Sequence, residues 1–327
     1  MNHPALDDPP HPPLPPELEP PPPAPALPPE LEPPPPVPAL PAAAPPGPSV
    51  PAPPIFVGGT GRSGTTVVGR LLGRQHDYTV IPVEARFHCS PDGLPSVLRG
   101  RQTPEEFAHR VLAEWFHPPG GAAKLAAFVE RAPLEAALAR FVVQAHDDAP
   151  GAARELIEEL FGGYAHSQGR RGWVEMTPIN AMWGAPYLAA IFPRLRFVNV
   201  IRDGRDVAAS LIRVGWAADA REALAWWEER MLRGHRQLAL LPAGALLTVR
   251  FERLLVEDRE GGLEELLNFM GWEEDPLMRR FFTRRMPASE AHVERWRSDF
   301  SGRERELVAT EYRAALARLR AAGAITP

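Results

Sequence analysis

The chain has 327 residues, 41 of them proline, one cysteine (Cys89) and a formal net charge of −5 at pH 7. A single cysteine excludes an intrachain disulfide and any Cys-x-x-Cys metal pair, and it suits a reducing compartment, so a cytoplasmic location is expected. No uninterrupted apolar run approaches the roughly 18 residues of a membrane span, and the N-terminus lacks the basic and apolar regions of a signal peptide.

Composition changes at about residue 54. Residues 1–54 are nearly half proline and carry no Lys or Arg, and the stretch from Pro15 to Leu27 recurs from Pro28 to Leu40 with Val37 in place of Ala24. Such a segment cannot donate a ladder of hydrogen bonds or bury enough apolar surface to offset its ordering entropy, so a disordered, polyproline-rich arm is expected. Setting its six acids aside from the total of 41 leaves 35 acids against 36 Lys and Arg in the remainder. That neutrality gives no reason to expect a nucleic-acid partner. Residues 55–327 suit one α/β domain.

Its first element is the apolar run Ile55-Phe56-Val57, a strand predicted over 55–58. Gly58-Gly59-Thr60-Gly61-Arg62-Ser63-Gly64-Thr65-Thr66 follows, and then the helical pattern Val67 to Leu72. A glycine turn between a strand and a helix start gathers backbone N–H groups around an anion. The spacing from Gly59 to Gly64 matches the nucleoside-triphosphatase loop G-x-x-x-x-G-K-[ST], but Thr65 stands where the lysine belongs. The turn therefore reads as a phosphate cradle ill equipped for ATP hydrolysis.

A second strand over 78–81 leads to Glu84, Arg86 and His88. Residues 103–168 read as a helical insertion, with Phe107, Val111, Leu112 and Trp115 at helical spacing. A third strand is predicted over 172–176, ending near Glu175 and Thr177, with Asn180 expected to cap the next helix. The fourth, over 196–201, runs into Arg202-Asp203-Gly204-Arg205-Asp206, where Asp206 is expected to cap a helix containing Ser210 and to pair with Arg205. Arg202 at the strand end and Ser210 near the helix start can then converge on one anion, a second phosphate site. The fifth strand is predicted over 246–251. Strands separated by helical patterns imply crossover connections and a parallel sheet flanked by helices.

A glycine turn without its lysine, followed roughly 140 residues later by a strand–turn–helix bearing Arg202 and Ser210, resembles the sulfotransferase family that uses 3′-phosphoadenosine 5′-phosphosulfate (PAPS). The arginine before Ser63-Gly64-Thr65-Thr66 is similar to the carbohydrate and tyrosyl-protein branches and many bacterial relatives. Trp173 to Asn180, Ala225-Trp226-Trp227 with Arg230, and Arg250-Phe251-Glu252 extend the likeness. The resemblance implies that Gly61, Arg62, Ser63, Gly64, Thr65 and Thr66 hold the 5′-phosphosulfate, and that Arg202 and Ser210 hold the 3′-phosphate. No metal is implied. The partner implied is a hydroxylated acceptor such as a carbohydrate, lipid or small molecule, whose pocket the insertion shapes in related folds.

Sulfuryl transfer rests on positioning and charge stabilisation, a task for Arg62, and on a base for the acceptor proton. Glu84 is the first candidate, beyond the second strand at the edge where such sheets bind ligands; a plain ion pair with Arg86 or Arg62 is its structural alternative, and His88 is the competing base. Met176 stands where relatives often carry lysine. Glu175 reads equally as substrate-facing or structural, and Trp226-Trp227 as core more than as an adenine stack. Arg295 and Arg297 read as a phosphate clamp or as a solvated helix face. Two further functions stay open: a nucleotide kinase or hydrolase with an altered loop, and a non-catalytic adapter working through the arm.

Overall fold

The computed structural model describes residues 52–117 and 124–327, so the expected disorder of the arm falls almost entirely outside the described residues. Five strands form one sheet: β1 (Ile55–Gly59), β2 (Tyr78–Val80), β3 (Gly172–Glu175), β4 (Arg196–Ile201) and β5 (Leu246–Arg250). Their order is β2-β3-β1-β4-β5, and every neighbouring pair is parallel.

Alternation within the strands decides what each face buries. Ile55 and Val57 of β1 join Val198 and Val200 of β4 in one apolar cluster. Phe56 and Phe197 point the other way, into a second cluster with Trp173 of β3. Both faces are therefore apolar and must be covered by helices, as parallel sheets require.

One face carries α1 (Thr65–Leu72); α2 (Leu94–Leu98) follows β2 and precedes the predicted insertion, which α3 (Pro104–Arg110), α4 (Arg131–Ala145), α5 (Ala149–Ile157) and α6 (Gly163–Ser167) make up. Thr103 opens α3 with a capping box: its hydroxyl accepts from Glu106 N–H (3.2 Å) while the Glu106 carboxylate accepts from Thr103 N–H (2.9 Å). After β3 comes α7 (Pro178–Ile191), after β4 come α8 (Gly204–Arg213) and α9 (Ala220–Leu238), and the chain closes with α10 (Arg259–Met270), α11 (Pro276–Arg285), α12 (Trp296–Asp299) and α13 (Gly302–Ala321). No helix of the described residues is long and apolar enough to cross a membrane.

Two expected caps are corrected. Asp203, not Asp206, caps α8, accepting from Arg205 N–H at 2.8 Å. Arg205 likewise pairs with Asp203, at 2.5 Å. Asp206 lies one turn further in, and its carboxylate instead accepts from the backbone N–H of Glu294 (2.9 Å) and Trp296 (3.0 Å). Asn180 is inside α7, which Pro178 begins, and donates to Ser90 Oγ at 2.9 Å.

The strand order has one functional consequence. From β1 the chain departs toward β2 on one side, and from the adjacent β4 it departs toward β5 on the other. Loops diverging from neighbouring carboxyl ends leave a crevice, where sheets of this class bind ligands. The glycine turn follows β1 and the Arg202 loop follows β4, so both predicted anion loops flank that crevice.

Candidate active site

The glycine turn is built on left-handed backbone at Gly61 (φ 83°), Arg62 (φ 55°) and Gly64 (φ 91°). Glycine is needed at 64 twice over, because a Cβ there would also stand 2.1 Å from the Phe251 ring. Arg62 adopts this region without that freedom, a conformation that persists only where the surroundings impose it. Ser63 is fully buried, and its hydroxyl has no hydrogen-bond partner among the described residues. Buried hydroxyls are ordinarily satisfied, so an orphan inside this turn fits a site made for an anion that would accept its proton.

The second loop grips the first. Arg202 Nη1 donates to the Arg62 carbonyl at 3.3 Å, and Arg62 Nε donates to Ser210 Oγ at 3.0 Å. The Arg202 side chain is only 11% exposed, 4.0 Å from Asp206, and its guanidinium lies 4.7 Å above the Phe251 ring. Its other terminal nitrogen donates to the carbonyls of Ala291 (3.3 Å) and His292 (2.9 Å). Burial pushes this guanidinium down from its ordinary value, against the pull of Asp206 and Glu252. Arg62 is more open; burial and then the like charge of Arg213 push it down too.

Phe251 is thus shared, with Gly64 against it and Arg202 stacked on it. Trp226 closes another side: a Cβ on Gly61 would lie 3.3 Å from its indole. Arg230 stacks on Trp226 at 3.6 Å and is pushed down to about 10 by burial. Trp227 is wholly buried against Tyr312, as expected of a core residue.

At the β2 end, Glu84 pairs with Arg86 at 3.3 Å, its side chain 37% exposed. Burial pushes its carboxyl up, Arg86 draws it back, and the charge of Glu175 adds a smaller upward push. His88 does not fit the role of an accessible base, being fully buried among Phe56, Phe87 and Phe161. Its Nε2 lies 3.2 Å from Glu175 Oε2 but out of line for a hydrogen bond. Glu175 is equally buried and serves its own turn, accepting from the Thr177 hydroxyl and from Thr177 N–H at 3.1 Å. Met176 packs into the space left by Gly69 of α1, where a Cβ would stand 2.0 Å from its sulfur.

Arg295 and Arg297 are engaged at the surface, with Asp299 (3.1 Å) and Glu294 (2.9 Å). A cleft of about 510 Å³ adjoins the second loop, lined by Asp203, Asp206, Glu252 and His292 among others. A larger one, about 640 Å³, lies along α3, and neither cleft is lined by a residue of the glycine turn, by Arg202 or by Ser210. Among the described residues, no group of three or more His, Cys, Asp or Glu is placed to hold a metal ion.

Sequence reasoning gave Phe251, Trp216 and Arg213 no role. The Arg62 guanidinium carbon lies 6.0 Å from the centre of the Trp216 ring. For Arg213 a signal existed, because three residues beyond Ser210 on a helix is the same face.

A model of the sulfotransferase family matches residues 53–276, most of the chain. The chain belongs to the sulfotransferase family. Among solved structures it is similar to the sulfotransferase domain of the Synechococcus PCC 7002 olefin synthase, with 16% identity and a TM-score of 0.52 over 82% of this chain and 95% of that one. A sulfotransferase from Alicyclobacillus acidocaldarius matches at 18% identity and a TM-score of 0.45, over 83% and 96% of the two chains. One from Mycobacterium tuberculosis H37Rv matches at 17% and 0.42, over 77% of each. The first of these likenesses bears on the fold alone; the family rests on the matched sequence.

Proposed function

We propose that this sulfotransferase moves a sulfuryl group from PAPS to a hydroxyl of a carbohydrate, lipid or small-molecule acceptor. The observation that supports this most is the joining of the two loops at one crevice, through Arg202 to the Arg62 carbonyl and Arg62 to Ser210. Gly61, Arg62, Ser63, Gly64, Thr65 and Thr66 hold the 5′-phosphosulfate, with the orphan Ser63 hydroxyl giving its proton to it. Arg202 and Ser210 hold the 3′-phosphate. The bond from sulfur to the bridging phosphate oxygen breaks as a bond to the acceptor oxygen forms, leaving a sulfate ester and adenosine 3′,5′-bisphosphate. Arg62, permanently charged, stabilises the negative charge that gathers on the departing oxygen. Glu84 takes the acceptor proton; its raised carboxyl makes it a stronger base than an ordinary glutamate. With that charge met by Arg62 and the turn, the reaction calls for no metal.

Calorimetry with adenosine 3′,5′-bisphosphate tests the donor reading, and absence of binding at millimolar ligand overturns it. Mass spectrometry across a panel of hydroxylated acceptors, with PAPS present, then identifies the acceptor by the gain of one sulfuryl group. Magnesium-dependent ATP binding in place of bisphosphate binding would favour the kinase or hydrolase alternative.

A further inference from the structure

The glycine turn has a third wall, away from both Arg202 and Ser210. Ile179 of α7 and Trp226 of α9 each come to 3.3 Å from where a Cβ on Gly61 would stand. Four residues further along those helices, one turn on, lie Trp183 and Arg230. The Arg230 guanidinium lies 3.6 Å from the centre of the Trp226 ring and 5.9 Å from that of Trp183, stacked on one indole and beside the other. Arg202 faces a different side, against Phe251 and the carbonyls of Ala291 and His292.

Arg230 is poorly compensated for a cation in this position. Its side chain is only 7% exposed, and a buried charge is ordinarily paired and fully hydrogen-bonded. Among the described residues the carboxylate paired with it is that of Glu229, 3.5 Å from Nη1 and 44% exposed, where water screens the attraction. Arg233, three residues on, adds like charge. Nη1 also donates to the Trp226 carbonyl at 3.2 Å. Nε and Nη2 remain, and Nε is buried without a hydrogen-bond partner among the described residues. Those two nitrogens form the edge of a guanidinium that meets an oxyanion through two parallel hydrogen bonds. Trp183 Nε1–H is likewise buried and unspent, so unused donors lie on both α7 and α9.

The geometry points to Arg230 as the receptor for a negatively charged group on the acceptor, a carboxylate or a sulfate or phosphate ester, held between α7 and α9 beside the glycine turn. This deepens the PAPS reading above and rests on it: with the donor's two anionic ends assigned to the two loops, the charge left over at this wall falls to the acceptor. The acceptor is then a hydroxylated acid and not a neutral alcohol. The two indoles keep water from the ion pair, which strengthens it, and the anion offsets the repulsion between Arg230 and Arg233.

Small probes test the site in the full-chain protein, with both donor loops filled by saturating adenosine 3′,5′-bisphosphate. In titration calorimetry, benzoate and phenyl phosphate are each compared with neutral benzamide. At least one anion is expected to bind at one site per chain, about tenfold or more tighter than benzamide, and the tighter of the two names the group. No preference for either anion over benzamide overturns the inference, and this arm needs no variant. Arg230→Met keeps an apolar stem over Trp226 without the charge. It is expected to weaken the anion about tenfold or more, the scale of one lost charge-assisted hydrogen bond, and Arg230→Lys to recover part of the loss. Adenosine 3′,5′-bisphosphate affinity should stay within about twofold in both variants. Anion binding that is unchanged in Arg230→Met overturns the inference, and so does an equal fall in anion and bisphosphate affinity, which would make Arg230 part of the framework. Failure of the wild-type protein to bind adenosine 3′,5′-bisphosphate at all would instead remove the PAPS reading, and this inference with it.

Discussion

Arg202 holds Arg62 by its main chain: Nη1 of the one donates to the carbonyl of the other at 3.3 Å, 140 positions apart. Charge is thereby used to fix backbone, and the guanidinium that would meet a 3′-phosphate is also what shapes the glycine turn.

Arg202→Ala should therefore weaken adenosine 3′,5′-bisphosphate by about 2 kcal/mol, roughly thirtyfold, the scale of a lost hydrogen bond to a charged group. Adenosine 5′-phosphate should lose much less, through loosening of the turn alone. Titration calorimetry of both ligands checks this, and equal losses would remove Arg202 from the 3′-site.

Glu84→Gln should lower kcat by roughly a hundredfold or more with little change in donor affinity, as loss of a general base does. With Glu84 as the proposed base, transfer needs it unprotonated, so kcat is expected to rise with pH as its carboxyl ionises. Burial places that rise above the ordinary carboxylate range, and Arg86 restrains it. Arg86→Gln should accordingly move the acid limb of the pH–rate profile to higher pH. A limb that stays put in Arg86→Gln assigns the proton transfer to another group.

Gly69→Ala places a methyl group 2.0 Å from the Met176 sulfur. The helix gains up to about 1 kcal/mol from alanine, while overpacking costs about 1–3 kcal/mol, so a net loss of about 1 kcal/mol is expected. In a Met176→Ala background the same change should become stabilising. A urea-denaturation double-mutant cycle measures the coupling, and additive effects would show that the contact is not felt.

Deleting residues 1–51 should leave PAPS turnover within about twofold. The described chain keeps its own anchors at this border: Pro53 O accepts from the Tyr78 hydroxyl (3.0 Å) and Pro54 O from Arg196 N–H (2.9 Å). Lost turnover in the truncated protein, assayed beside the full chain, would show that the arm does more than space or solubilise.

The sheet was readable because strands such as Ile55-Phe56-Val57 and Phe197-Val198-Asn199-Val200 are apolar runs bounded by turn residues, and the observed bounds agree to within a residue. Both turns were readable as breaks between a strand and a helix, because glycine and charged residues interrupt the apolar pattern there. Misreadings arose where a long-range partner decides. Asp203 and Asp206 are equally good caps locally; the amides of Glu294 and Trp296, almost ninety positions away, claim Asp206. His88 follows Glu84 by four residues, yet the distant rings of Phe56 and Phe161 close over it beside its neighbour Phe87. The link between Arg62 and Ser210 was invisible for the same reason, since spacing along a chain does not disclose which atoms meet.

That distance also orders events during synthesis. The ribosome releases the glycine turn well before β4 and α8 exist, and until those elements dock there is nothing to restrain Arg62. A nascent chain ending short of residue 196 would carry the signature of a nucleotide loop with its arginine adrift, and catalytic competence would appear only with the late, non-local closure of β4 against β1.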